Sequence, residues 1–478
     1  MRSTDAGATW VRLESSPSPP SYPFCFMSNA TTQGRIAFGR NHTLYYLLDG
    51  WDLQDGEDNR SVFLARSTDL GETWKTTVVS DARGKQGDQV ESNKPVTGLA
   101  VDTKTGSKDI IYVGWRRQSP GLSSPNEAPA QPMVSVSADG GETFSPPVSA
   151  VAGAFDSPQA RAEPLKARSA PSPTATTAPA GSRAAQPDSS VNFGGVNPRI
   201  VVTDKGTAYA MWIAATANLS PGPPLAHYLS RSTDHGKTWT ATQINPFSKN
   251  IADSYEVQIA WSPEGGPEGT LHLVWEGTSQ PEIASLSDIY YRRSTDGGKT
   301  WTDSKRIDDD DPKQFFINRI PDVQVAPNGR VDVVWWDTRD DPGITATDAY
   351  YAYSTDNGNT WSKNTRVSDR SVDRRIGTFA QNFDLWSPPG LVSTNALAVL
   401  AWEDTRNGNA LTQTQDIFAA VVQHEALSTG SSQAPKYMLA AVVGVVAAGV
   451  VFLILAFRRR VRPRADTSAE RRQQERVG

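Results

Sequence analysis

The sequence predicts an all-β fold, a six-bladed β-propeller followed by one C-terminal transmembrane α-helix. Three observations predict it: an eight-residue turn repeat that occurs six times, a tryptophan-bearing apolar run upstream of five of the repeats, and one uncharged stretch of membrane-spanning length.

The repeat reads Ser-x-Asp-x-Gly-x-Thr-Trp, at Ser3 to Trp10, Ser67 to Trp74, Ser137 to Phe144, Ser232 to Trp239, Ser294 to Trp301 and Ser354 to Trp361. Its aspartates, Asp5, Asp69, Asp139, Asp234, Asp296 and Asp356, are 64, 70, 95, 62 and 60 residues apart. The long interval contains residues 154–190, an Ala/Pro/Ser/Thr-rich insertion with too little apolar surface to fold, and without it that interval matches the rest. Within the repeat, Ser and Asp oxygens can accept backbone N–H groups of a tight turn, Gly supplies a left-handed conformation, and the aromatic residue opens the next strand. Six aspartates with that duty are turn formers rather than a catalytic set.

Trp51, Trp115, Trp212, Trp275 and Trp335 precede their repeat aspartates by 18 to 24 residues, each in an apolar run such as Leu271 to Trp275. A second alternating run leads into the repeat, as in Asp288 to Arg293. With one run opening the unit and one following the turn, each unit holds about four short strands, the content of a propeller blade. The chain ends complete the count. Leu397 to Trp402 and Asp416 to Val422 are middle strands with no repeat after them, whereas Ser3 to Trp10 has no strands before it. Joined, they make a sixth blade shared by the termini, so the propeller is expected over residues 1–423.

Residues 437–457 carry no charged side chain over 21 positions, enough for a helix to cross a hydrocarbon core. Arg458, Arg459, Arg460, Arg462 and Arg464 follow, with only Lys436 on the other flank. The positive-inside rule then puts the propeller outside, joined by a 424–436 linker, and a basic tail, 458–478, in the cytoplasm. An exported chain needs an entry signal, and none precedes the first repeat, so the natural start is expected further upstream.

A net charge of −5 gives no reason to expect nucleic acid as a partner. Cys25 is the only cysteine, which excludes an internal disulfide, and the five histidines lack zinc-site spacing. No cofactor is expected. Asp308 to Asp311 could offer oxygen ligands to calcium, although an acidic run before Pro312 also reads as a solvated loop.

The six turn repeats resemble the Asp boxes of the sialidase (neuraminidase) superfamily and of related repeat propellers. The resemblance covers residues 1–423 apart from the insertion and implies a glycan or glycoconjugate ligand. Active members grip a sugar carboxylate with three arginines and use an Asp acid/base and a Tyr nucleophile tuned by a Glu. A guanidinium fork matches a carboxylate in charge and geometry, and a neutral Tyr avoids repulsion with an anionic substrate. Asn318-Arg319-Ile320-Pro321 is similar to the family's Arg-Ile-Pro motif, and Trp335-Trp336-Asp337-Thr338-Arg339-Asp340-Asp341 follows at nearly the family's distance. By that likeness Arg319 and Arg339 are candidate carboxylate ligands, and Asp340 or Asp341 the acid/base.

The sequence also departs from the family pattern. Trp402-Glu403-Asp404-Thr405-Arg406 repeats the second string, Arg-Ile-Pro opens the fifth unit rather than the first, and no tyrosine lies between Tyr353 and Tyr437. Two readings therefore stand: a membrane-anchored exo-sialidase, or a non-catalytic surface propeller that binds glycan or protein. They differ in whether Arg35, Arg199, Arg319 and Arg339 converge on one point near the axis.

Overall fold

Each turn repeat that the structure describes is closed by its own side chains. In the computed structural model, Ser67 Oγ accepts the Gly71 N–H at 2.8 Å and donates to Asp69 Oδ1 at 2.7 Å. Asp69 accepts the Thr73 N–H at 2.9 Å and its hydroxyl at 2.5 Å. The same bonds recur in the repeats that start at Ser137, Ser232, Ser294 and Ser354. Hydroxyl and N–H donors pull the carboxyls of Asp69, Asp139, Asp234 and Asp296 down to about 2, against burial at the last three. These aspartates are committed to the turn.

The structure describes residues 11, 13, 35–51, 60–81, 98–117, 131–151, 191–192, 198–216, 225–245, 257–278, 286–377, 388–409, 411 and 415–424. They form six antiparallel sheets, taken as blades one to six. Blade one is β1 (Arg35–Phe38), β2 (Leu44–Trp51), β3 (Arg60–Ser67) and β4 (Lys75–Ser80); blade two is β5 (Gly98–Asp102), β6 (Ile110–Arg117), β7 (Gln131–Ser137) and β8 (Val148–Ser149). Blade three is β9 (Val191–Asn192), β10 (Arg199–Val202), β11 (Ala208–Thr216), β12 (Leu225–Ser232) and β13 (Thr240–Gln243), with β9 paired to β11. Blade four is β14 (Gln258–Ser262), β15 (Thr270–Gly277), β16 (Asp288–Ser294) and β17 (Lys305–Arg306). Blade five is β18 (Asn318–Val325), β19 (Val331–Asp337), β20 (Ala346–Ser354), β21 (Thr365–Arg366) and β22 (Val372–Asp373), with β22 paired to β20. Blade six is β23 (Gly390–Ser393), β24 (Leu397–Asp404) and β25 (Asp416–Gln423).

The first long strands of successive blades touch in order, from β1 through β5, β10, β14 and β18 to β23. They surround the axis. Because each meander is antiparallel, the start of its first strand, the end of its second and the start of its third share one face, here called the upper face. The turn repeats lie at the opposite face.

Register decides which tryptophans are equivalent. The first strands pair Arg35, Gly98, Arg199, Gln258, Asp322 and Gly390 with Leu47, Gly114, Met211, Val274, Val334 and Ala401. One residue further on stand Leu48, Trp115, Trp212, Trp275, Trp335 and Trp402. Blade one therefore has Leu48 at this place, and Trp51, expected there from its spacing, is three residues beyond. The facing residues of the third strand are Phe63, Met133, Tyr228, Tyr290, Tyr350 and Phe418, and Trp212 stacks on Tyr228 with ring centroids 4.5 Å apart.

Apolar clusters fill the gaps between blades one and two, two and three, three and four, four and five, and five and six. The turn repeats seal these gaps from below. Gly236 (φ 76°) lies against the Tyr112 ring of blade two, and at Gly358 (φ 83°) a side chain would overlap the Tyr291 hydroxyl of blade four. Both positions need left-handed backbone and the absence of a Cβ.

The first repeat, the 154–190 insertion, the 424–436 linker apart from no more than its leading residue, the 437–457 apolar run and the basic tail lie outside the described residues. The fourth strand expected for blade six from the N-terminus lies there too. Among the described residues, no helix is long and apolar enough to cross a membrane.

Candidate functional site

The arginines singled out in the sequence divide into three settings. Arg35 and Arg199 occupy the same register position of their first strands, as do Gln258 and Asp322. These four polar residues come from blades one, three, four and five. Arg35 Nη2 donates to Gln258 Oε1 at 3.1 Å, a contact between opposite blades and hence across the axis. Arg35 Nη1 lies 3.6 Å from Asp322 Oδ2. Asp322 is only 3% exposed; burial pushes its carboxyl up, against the pull of Arg35 and Arg199. The axial arginines thus face an internal carboxylate.

Arg319 stands nearer the upper face. The pairing of β18 with β19 shifts between Arg319 and Asp322, a bulge that contains Ile320 at φ 54° and Pro321. The bulge re-aims Arg319, whose Nε donates to Glu276 Oε1 of blade four at 3.2 Å. Beside it is a depression lined by Arg319, Ile320, Trp336, Thr338, Thr347 and Arg374. Of these, Trp336, Thr338 and Thr347 are buried, and both threonine hydroxyls are bonded to backbone, to the Ile317 N–H and the Asp337 carbonyl.

Arg339 points elsewhere. Its Nε donates to Asp337 Oδ2 at 2.8 Å, its Nη1 to Asp309 Oδ1 at 2.6 Å, and its guanidinium carbon sits 4.4 Å from the centroid of Tyr350 in the third strand. Asp337 is fully buried and also accepts the Trp335 Nε1–H at 3.0 Å. Asp340 accepts the Tyr350 hydroxyl at 2.7 Å and lies 3.5 Å from Arg366 Nη1. Asp341 closes the turn after β19, accepting N–H groups of Gly343, Thr345 and Ala346 at 3.0, 2.8 and 2.7 Å. Slight burial works against it, but those donors hold its carboxyl below the usual carboxylate range. A proton donor at neutral pH needs the opposite shift. Arg319, Arg339, Asp340 and Asp341 are therefore near in sequence and bonded to different partners.

The acidic run is split in the same way. Asp309 binds Arg339 and the Asn364 N–H, and Asp311 accepts the Lys313 N–H at 3.0 Å. Asp308 and Asp310 converge with Asp288 into a group with metal-ligand spacing, and Arg306 reaches all three, its Nε 3.0 Å from Asp288. A calcium ion there would have to displace a guanidinium.

Glu276, Asp322, Gln258 and Arg374 did not stand out in the sequence. The first three were reachable by aligning the repeats strand by strand, since they occupy recurrent first- and second-strand positions. Arg374 follows β22, which has no counterpart among the described residues of the other blades, and no repeat signal points to it.

No protein-family model and no curated protein matches this chain. Solved structures do match. The Hadza microbial sialidase Hz136 is 18% identical with a TM-score of 0.45 over 78% of this chain and 63% of its own. The α-L-arabinofuranosidase Arb93A of Fusarium graminearum, in complex with an iminosugar inhibitor, is 15% identical with a TM-score of 0.47 over 87% and 98%. Trypanosoma rangeli sialidase, in complex with 2,3-difluorosialic acid, is 14% identical with a TM-score of 0.41 over 81% and 53%. This chain is a six-bladed β-propeller, and it spans less than two thirds of the length of either sialidase. The propeller's boxes lie at its lower face, so the depression beside Arg319 and the turn repeats are at opposite ends of the ring.

Proposed function

We propose that this chain is a sialidase-like surface propeller that recognises terminal acidic sugars at its upper face, with Arg319 as the residue that meets the ligand. One observation carries the reading: the bulge at Ile320 and Pro321 aims Arg319 at a depression that also has Trp336, Thr338 and Thr347 in its walls. A guanidinium fork matches a sugar carboxylate in charge and geometry.

In the hydrolytic form of this reading, Asp340 or Asp341 protonates the leaving oxygen and Arg339 helps to hold the carboxylate. The recognising form is favoured because Asp341 is engaged with a turn and Arg339 with Asp337 and Asp309. Hydrolysis of a fluorogenic sialoside by the purified chain separates the two. The recognising form expects sialoside binding without turnover, and binding lost in Arg319→Ala. Turnover that disappears in Asp340→Asn or Asp341→Asn would establish the hydrolase instead.

The propeller is further proposed to lie outside the cell, held by residues 437–457 in a single pass with the basic tail in the cytoplasm. Protease treatment of intact cells should remove the propeller and leave a membrane-bound C-terminal fragment; a wholly protected chain would refute this orientation.

A further inference from the structure

One place on the upper face carries more negative charge than its fold requires. In blades three, four and five, a side chain two residues beyond the fourth strand caps a backbone N–H of the third. Asn245 Oδ1 accepts the His227 N–H at 2.9 Å, Ser368 Oγ the Ala349 N–H at 3.1 Å, and Asp308 Oδ2 the Ile289 N–H at 2.7 Å. Neutral groups do this in two of the blades, so the cap does not need the charge of Asp308.

Asp308 is nevertheless buried among other acids. Asp288, at the start of β16, and Asp310, beyond β17, bring carboxylate oxygens within 4.8 Å of its own. The side chains of Asp308 and Asp310 are 0% and 4% exposed, and among the described residues Arg306 alone forms ion pairs with the three. One positive charge thus stands against three negative ones. Arg306 touches every carboxylate, yet its Nε and Asp308 Oδ1 make no aligned hydrogen bond with any described residue. A guanidinium donates in one plane and cannot serve carboxylates that surround it. A spherical ion has no such limit.

A second observation comes from Asn318, at the start of β18. It is fully buried, its Nδ2 donates to Asp310 Oδ2 at 2.7 Å, and its Oδ1 accepts no hydrogen bond from the described residues. Turned over, the amide would set that oxygen against Asp310, an arrangement that needs a cation between the two. The Asp310 carbonyl also faces the group, 3.2 Å from Arg306 Nη1. Carboxylates, an amide oxygen and a carbonyl, without His or Cys, are the donor set of calcium. Among the described residues, every hydrogen-bond and ionic partner of Arg306 belongs to this group, and its side chain is 21% exposed. It can swing to solvent without breaking a contact elsewhere.

We propose that Asp288, Asp308, Asp310 and Asn318 form a calcium site joining the third strand of blade four to the first strand of blade five, with Arg306 as its built-in competitor. The guanidinium holds the acids together without calcium and moves out when the ion enters. The site does not depend on any sugar at the depression.

Calorimetric titration of the full chain in detergent with calcium chloride, after a chelator has removed divalent ions, tests it, with thermal unfolding alongside. The wild type should bind calcium weakly and Arg306→Gln about tenfold or more tighter, because the competing cation is gone. Calcium should also raise the melting temperature of Arg306→Gln more than that of the wild type. Asp310→Asn added to Arg306→Gln should abolish the gain. If that double variant fails to fold, Asn318→Ala in its place keeps all three carboxylates and carries the same readout. Affinity in Arg306→Gln no higher than in the wild type overturns the competition, and affinity unmoved by Asp310→Asn or Asn318→Ala overturns the site. An equal response to sodium chloride at matched ionic strength reduces the effect to screening and overturns it as well.

Discussion

Blades five and six carry the same five-residue string and use it in the same way. Trp335 and Trp402 donate from Nε1 to Asp337 and Asp404 at 3.0 and 3.1 Å. Arg339 and Arg406 bind those aspartates, reach a second one, Asp309 or Asp369, and stack on Tyr350 or Phe418 at 4.4 and 3.8 Å. Thr338 and Thr405 each accept a backbone N–H, from Ile317 and Asp373. The string is a clamp that ties the end of a second strand to the segment arriving from the preceding blade. The blades differ where the string does not repeat. Blade five has Trp336, blade six has Glu403; blade five opens with the Arg319 bulge, blade six with Gly390. The matching Trp, Asp and Arg hold the ring together, whereas Thr338 of the string and the unmatched Arg319 and Trp336 line the depression. A motif that looks catalytic is scaffold when its second copy makes the same bonds.

Asp337→Ala and Asp404→Ala should give the largest effects, each lowering stability by about 2–3 kcal/mol through an unpaired buried indole N–H and an Arg left with one of its two carboxylates. Urea unfolding followed by tryptophan fluorescence measures both, and losses that differ by more than about half would break the equivalence of the clamps. Next come the arginines. Arg319→Ala should weaken acidic-sugar binding about tenfold or more and also lower stability, because it leaves the buried Glu276 carboxylate without its guanidinium, whereas Arg406→Ala should lower stability alone; a binding loss in Arg406→Ala would extend the site into blade six.

Glu403 sharpens the contrast with Trp336, because burial raises its carboxyl above the ordinary value of 4.5. Below that value it is protonated whether folded or unfolded, and its stabilising share is intact. As pH rises through the folded value, the half-buried group ionises and that share is lost. Glu403→Gln should therefore melt with the wild type near pH 4 and progressively above it toward pH 8; parallel curves would place Glu403 in contact with solvent. The smallest effect is expected at a turn repeat. Slight burial opposes it, but the Thr300 and Ser294 bonds hold Asp296 at about 2, against 3.8 when unbonded. Its contribution is present above 3.8 and disappears as pH falls through about 2. After solvent screening, Asp296→Asn should cost under about 1 kcal/mol at pH 7 and nothing near pH 2, by thermal unfolding.

Blade number and turn chemistry were legible because the residues that make each turn lie within eight positions of one another. Blade one shows the limit of counting: Trp51 has nearly the right spacing, yet strand register gives Leu48 the inter-blade place. The candidate site was legible in part. Arg319 came from a local resemblance and does line the depression, whereas Arg339, Asp340 and Asp341 from the same stretch take up bonds with Asp337, Tyr350 and the turn after β19. Arg374 was invisible because it reaches the depression through β22, a pairing that among the described residues occurs only in blade five.

By itself, the sequence determined the repeated turn, the strand-rich unit and the number of units, since these depend on contacts between near neighbours in the chain. Only the tertiary structure decided which charges face ligand and which face protein. Arg35 meets Asp322 and Gln258, and Arg319 meets Glu276, across blade boundaries and at separations of 43 to 287 residues. Coulomb interactions follow distance in space, so the partner of a guanidinium is settled only when the ring has closed.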